Sequence, residues 1–113
     1  MKVVHATPTQ SVAEHLSVQR LTDALGAQNL RANVWTLAEG SMTRHLHREQ
    51  EELYLVLDGT AEIIVDDATF RLGERDALAV PVGAWHQVRN SGLGPLTFLA
   101  VASPAVLGDA ELD

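Results

Sequence analysis

The chain contains no cysteine. Disulfides and thiolate ligands are therefore excluded, and any metal site has to be built from nitrogen and oxygen donors. Aromatic residues make up only 4% of the 113 residues, so few large rings are available to fill a core. Basic residues are scarce too, 8 Lys and Arg against 15 Asp and Glu, for a formal charge of −7. They form no run, which argues against a nucleic-acid partner, because phosphate binding rests on clustered cations. No apolar stretch approaches the roughly 20 residues of a membrane helix, so no membrane partner is expected. Met1-Lys2-Val3-Val4-His5 opens no signal-peptide core, and a cytoplasmic location is the default expectation.

What is present describes a folded domain. The hydrophobic content is 46% and the charged content 20%, as in globular rather than disordered chains. The length fits one domain, residues 1–113, with a barrel core over about 28–103. Short runs rich in Val, Leu, Ile and Thr alternate with glycine, proline and acidic turns, the punctuation of an all-β sandwich or barrel. The pattern predicts strands at about 15–21, 30–37, 42–47, 52–58, 60–66, 68–72, 77–81, 86–90 and 95–102. Asp58-Gly59 between two apolar runs predicts a hairpin, and Asp66-Asp67 a second tight turn. Thr22–Gly26 reads as a helical turn closed by glycine. The tail after Pro104 is expected to fray.

Three of the five histidines fall in one pattern: His45 and His47, followed by Glu52, and later His86 behind Pro81-Val82-Gly83. Residues i and i+2 of a strand project from one face, so His45 and His47 share a side. A third histidine and a carboxylate arriving from other strands would complete a three-nitrogen, one-oxygen metal site. Proline fixes φ and glycine relieves the bend in the turn before His86, which lets that residue return towards the pair. Imidazole and carboxylate suit a divalent ion such as Mn, Fe, Ni or Zn. With three neutral histidines and one carboxylate the centre carries a charge near +1. An octahedral ion would keep two positions open.

These residues resemble the two motifs of the cupin superfamily, and the resemblance covers most of the chain. The first motif appears as Gly40, His45, His47, Glu52 and Gly59, and the second as Pro81, Gly83, His86 and Asn90. Two turns depart from the pattern. Gly40 lies one residue closer to His45 than is usual, and Arg75 stands where a glycine is expected before Asp76. The resemblance implies an all-β double-stranded β-helix, a jelly-roll barrel. It also implies His45, His47, Glu52 and His86 as metal ligands, and a homodimer paired near the N-terminus. Apolar residues on both faces of Leu53–Leu57 agree with cover from another sheet or subunit.

Other residues have plainer readings. Isolated His5 and His15 read as exposed or structural, Glu49 and Glu51 as a solvated loop. Tyr54 shares the parity of Glu52 and is a candidate catalytic residue, although a barrel tyrosine is more often core. Asn33 and Trp35, with Arg31, lie on one strand face before the first motif. They would line the pocket or, if Ala32, Val34 and Thr36 form the inner face, point outward. Trp85 has the opposite parity to His86 and is expected outside the barrel. Three functions remain open, because one fold hosts many chemistries. The first is a dioxygenase-like metal-dependent oxidoreductase acting on a small molecule that chelates the metal. The others are a sugar or hydroxy-acid isomerase, epimerase or lyase, and a non-catalytic ligand-binding protein.

Overall fold

The computed structural model describes residues 1–113 as eleven strands and one short helix. In chain order these are β1 (Gln10–Ala13), β2 (Leu16–Arg20), α1 (Leu21–Leu25), β3 (Arg31–Leu37), β4 (His45–His47), β5 (Glu51–Asp58), β6 (Ala61–Val65), β7 (Ala68–Leu72), β8 (Ala77–Val80), β9 (His86–Asn90), β10 (Leu96–Ser103) and β11 (Ala110–Leu112). One sheet has the order β1-β2-β3-β10-β5-β8, the other β11-β4-β9-β6-β7. Every pairing is antiparallel. The chain passes repeatedly from sheet to sheet, and the two sheets form a jelly roll. The expected fold class is the observed one.

Register sorts the inner face into layers. Strand β10 lies between β3 and β5, and its partners are Leu37 for Leu96, Trp35 and Val56 for Phe98, Asn33 and Tyr54 for Ala100, Arg31 and Glu52 for Ala102. Paired residues share a face and side chains alternate along a strand, so these four levels all point into the barrel. The first two are large and apolar. Together with Ile63, Leu72 and Val88 of the other sheet they make the dry core. Burying a side chain such as Phe98 or Ile63 stabilises by about 1.5–3 kcal/mol. The last two levels are small or polar, and there the barrel opens.

Three expectations need correction. Strands β5 and β6 are not a hairpin: β5 pairs with β10 and β8, and β6 with β7 and β9. Gly59 instead turns the corner between the sheets at φ 89, where an added Cβ would lie 2.6 Å from the Pro95 carbonyl oxygen. The tail does not fray. Strand β11 pairs with β4, Arg44 meets Asp113 at 2.6 Å and Arg48 meets Glu111 at 3.5 Å. An additional strand, β1, forms a hairpin with β2 through Glu14-His15, with His15 at φ 67 between Glu14 and Glu39.

Elsewhere the local signals hold. Asp66-Asp67 closes the β6–β7 hairpin. Helix α1 ends at Gly26, φ 71. It covers the outer side of β3, where the Thr22 hydroxyl accepts the Ala32 N–H at 2.6 Å and Ala32 and Val34 are buried. The residue that replaces the expected glycine, Arg75, sits at φ 72, exposed and without an ion pair. A left-handed conformation costs a non-glycine residue about 1–2 kcal/mol, partly offset by the smaller entropy of its unfolded chain. Arg75→Gly should therefore stabilise the fold by about 0.5–1 kcal/mol. A higher urea midpoint with an unchanged slope would show it; an unchanged or lower midpoint would mean that the strain is relieved some other way.

Candidate metal centre

At the open end His45, His47, Glu52 and His86 come together, each offering one ligand atom, with all four atoms within 4.8 Å of one another. Three mechanical features hold them. Strand β4 carries His45 and His47 at i and i+2, and His45 pairs directly with His86 of β9. The turn before His86 is fastened to the first motif, where the Gly83 N–H donates to the His47 carbonyl at 2.8 Å. Glu52 enters from the opposite sheet on β5, flanked by Ala102 of β10 and Val80 of β8.

Second hydrogen bonds aim the imidazoles. His45 Nδ1 lies 3.0 Å from the Thr43 carbonyl, and His86 Nδ1 2.9 Å from the Ala84 carbonyl. A carbonyl only accepts, so Nδ1 carries a proton in both rings and Nε2 is the atom turned to the centre, where His86 Nε2 donates to Glu52 Oε1 at 3.0 Å. His47 differs. Its Nδ1 is 3.7 Å from Asp109 Oδ2, and both its ring nitrogens are buried without a hydrogen-bond partner. Such orphaned nitrogens are costly in a folded protein unless something else takes them up. The three Nε2 atoms lie 3.0 Å (His86), 3.3 Å (His47) and 3.9 Å (His45) from a single oxygen, Glu52 Oε1. Donors about 2.0–2.2 Å from a common ion lie within about 4.4 Å of one another, so the observed spread is a few tenths of an ångström too wide. The residues fit a divalent ion by donor type and by the convergence of their ligand atoms, with a contraction of a few tenths of an ångström.

The charges follow from the same contacts. Burial alone would raise the Glu52 pKa, but the facing imidazoles of His45, His47 and His86, with the Tyr54 hydroxyl, reverse this and hold it far below the usual carboxylate range. Burial lowers the His45 pKa, and the bond to Glu52, the Thr43 carbonyl and the Glu52 charge together raise it above its ordinary value. Tyr54 is buried and donates to Glu52 Oε1 at 2.5 Å. Burial first, then the Glu52 charge, push its pKa well up, so its hydroxyl stays protonated.

Arg31, Asn33 and Trp35 face inward and line two cavities, while Ala32 and Val34 are buried on the opposite side of β3, Ala32 against Thr22 of α1. The two cavities meet at Asn33, His47, Glu52 and Ala110. One, of about 300 Å³, is walled by Leu16, Trp35, Met42, Phe98 and Tyr54 among others; the second, of about 190 Å³, by Arg31, Gln50, Ala100, Ala102 and Asp109. Glu49 and Glu51 are exposed and stay out of the site. Trp85 is half-buried away from the centre, with the Arg44 guanidinium 5.0 Å from its ring centroid. Gln50 and Asp109 escaped sequence reasoning. Asp109 accepts the Glu49 and Gln50 N–H groups at 2.9–3.1 Å, while the Gln50 amide donates to the Pro104 and Val106 carbonyls. These contacts join residues far apart in the chain, and no local pattern announces them.

The comparisons agree with this geometry. A family model described as "Cupin domain" matches residues 33–102. The alginate biosynthesis protein AlgA of Pseudomonas putida is 32% identical over 73 residues, which are 65% of this chain and 15% of that protein. The chain thus spans only a small part of the curated relatives it matches. Among solved structures, a cupin-superfamily sugar phosphate isomerase from Silicibacter pomeroyi is 31% identical, with a TM-score of 0.75, covering 81% of this chain and 61% of the other. The polyketide cyclase RemF of Streptomyces resistomycificus shares the fold, with a TM-score of 0.83 at 23% identity, covering 99% and 84%.

Replacing His45, His47 or His86 by alanine should cut the metal-to-protein ratio after desalting severely. Glu52→Gln should cut it less, since an amide oxygen still coordinates, and Glu49→Gln and Glu51→Gln should leave it unchanged. Metal loss in Glu51→Gln with retention in Glu52→Gln would contradict the register of β5. The pH dependence has two signs. In chelated protein the raised His45 pKa contributes stability that is complete below about 6.5 and is lost as pH rises through the raised value. The contribution of Glu52, whose pKa is lowered, persists above the ordinary carboxylate pKa and disappears only in strong acid. Chelated protein should thus melt higher at about pH 6 than at about pH 8, whereas metal-loaded protein should do the reverse, because ligating imidazoles must be neutral. Parallel trends in the two forms would count against the site.

Proposed function

The chain belongs to the cupin family, and we propose that it is a metal-dependent enzyme of the isomerase, epimerase or lyase class, acting on a small oxygen-bearing molecule. The observation that carries the reading is the convergence of His45, His47, Glu52 and His86 where two cavities meet. A divalent ion held there would act as a Lewis acid on a carbonyl or hydroxyl oxygen, with coordination positions to spare. The 31% identity to a sugar phosphate isomerase across 81% of the chain supports this class. The dioxygenase chemistry expected from the donor set draws no specific support from the relatives.

The chain's own residues divide the work. Tyr54 fixes the Glu52 carboxylate through its 2.5 Å hydrogen bond. Since its hydroxyl stays neutral, it is a positioning residue and a poor base. Asn33 lines both cavities and its Oδ1 is buried without a partner; its side-chain amide would meet a substrate hydroxyl. Trp35 supplies an apolar wall that excludes water from one side of the ligand. Metal-loaded protein incubated with small hydroxyketones and keto acids in deuterated water should show carbon-bound proton exchange by NMR without oxygen uptake. Chelation and His86→Ala should each abolish the exchange. Oxygen uptake without exchange would instead assign the protein to the dioxygenases.

The same reading includes a homodimer. Leu53, Leu55 and Leu57, with Leu99 and Val101 beside them, lie on the outer face of the larger sheet, and Leu53 and Leu57 are each more than 40% exposed. A contiguous apolar patch of this kind marks an interaction surface. Light scattering at tens of micromolar should give twice the chain mass, falling to one with Leu53→Glu. A monomer in the unsubstituted protein would overturn the proposal.

A further inference from the structure

The smaller cavity has features that the metal centre does not require. Its floor is Ala100 and Ala102, which β10 places between Arg31 and Asn33 on one side and Tyr54 and Glu52 on the other. Larger side chains at those two positions would fill the space, as Phe98 fills the level below. Arg31 reaches the cavity from β3 and makes neither a hydrogen bond nor an ion pair, whereas Arg44, Arg48 and Arg89 each hold a carboxylate. It is the only arginine or lysine lining either cavity, in a chain of net charge −7. An unpaired guanidinium facing a polar cavity offers a fork that matches carboxylate or phosphate oxygens.

From this geometry we infer that Arg31 binds the anionic end of the substrate, which is a small hydroxy or keto compound bearing a carboxylate or phosphate separate from its metal-chelating oxygens. The inference rests on the metal-centre reading and names its substrate class. Arg31 and Glu52 lie on strands two apart, so their backbones are about 10 Å from each other. An extended arginine and a short acid span that gap across the alanine floor. Charge balance permits the anion. A divalent ion with three neutral histidines and Glu52 leaves +1, and Arg31 adds +1. Asp109, the other acid of the cavity, subtracts one, but its oxygens already accept the Glu49 and Gln50 N–H groups, so the net remains +1. The volume of about 190 Å³ equals roughly six waters at about 30 Å³ each, which suits a small acid. The cavity on the Trp35 side holds no arginine or lysine, so the charge is directed to Arg31.

Matched probe pairs separate the anion from the chelating oxygens. Protein loaded with Co(II) is titrated with malate against lactate, and with glycerol 3-phosphate against glycerol, following the visible absorption of the metal. The extra anionic group should tighten binding at least tenfold in one pair or both, and the larger gain identifies carboxylate or phosphate. Arg31→Gln should erase that gain, Arg31→Lys should keep part of it, and Co(II) uptake should not change in either variant. An equal gain in Arg31→Gln would overturn the inference with the metal centre intact. Failure to take up Co(II) would instead overturn the metal reading. The anion site is then decided on chelated protein, by the Arg31 side-chain N–H resonance in a titration with inorganic phosphate. A saturable shift, blocked in Ala102→Leu, supports the site, and no shift rules it out.

Discussion

Everything at the open end of this barrel depends on how β10 is held between β3 and β5. An antiparallel ladder leaves no freedom to adjust one level alone, since a one-residue slip would turn every side chain to the opposite face. Once Phe98 is locked against Trp35 and Val56, Ala100 must lie between Asn33 and Tyr54, and Ala102 between Arg31 and Glu52. The apolar levels thereby position the polar ones. Burial of Phe98, Leu96 and Val56 supplies the free energy, and register carries its effect two and four residues onward to groups that no core would otherwise tolerate. A bulge in the ladder between Thr97 and Phe98 precedes the regular run from Phe98 to Ser103, so it leaves the alignment of Ala100 and Ala102 undisturbed.

Glu52 shows what that rigidity permits. A carboxylate in a mostly buried position is costly unless paired and hydrogen-bonded. Three imidazoles and the Tyr54 hydroxyl converge on one of its oxygens. Without an ion, the carboxylate serves as the common partner of the histidines, and His47 remains unsatisfied at both nitrogens. That imbalance is informative, because the Nδ1 atoms of His45 and His86 are already committed to backbone carbonyls. Their Nε2 atoms therefore converge on one point by construction. Beside the carboxylate alone those nitrogens act as its donors; around a divalent ion they would be neutral ligands.

The sequence made the parts of the site that depend on strand parity legible. His45 and His47 declare a shared face by their spacing alone, and the turn Pro81-Val82-Gly83 signals the return of His86. The face of Arg31, Asn33 and Trp35 was ambiguous for a physical reason. Helix α1 covers the outer side of β3, so Ala32 and Val34 are buried there just as core residues would be, and both faces of the strand read as inner ones. The Asp58-Gly59 turn misled because a glycine bend between two strands looks the same whether the strands pair or part to different sheets. Strand β11 was illegible. Glu111 is charged, and the strand is stabilised by pairing with β4 and by Asp109 holding the loop at Glu49 and Gln50, contacts some sixty residues apart in sequence.

The comparisons and the layering together locate where function is encoded. An isomerase and a cyclase share this fold with the chain at TM-scores of 0.75 and 0.83, so neither the jelly roll nor its core can distinguish their chemistries. The four clustered residues could hold a divalent ion, whose Lewis-acid chemistry would be common to many reactions. What remains free to vary is the pair of levels above the core: Arg31, Asn33, Ala100, Ala102 and the β11 strand that roofs them. Substitutions there change the size and charge of a cavity while the register set by Leu96, Phe98 and Val56 is kept. A barrel that is dry at one end and adjustable at the other can change substrate while keeping its stability. By that logic the identity of the ligand is written in the small and unpaired residues beside the metal centre, above all in a guanidinium that no carboxylate of this acidic chain has claimed.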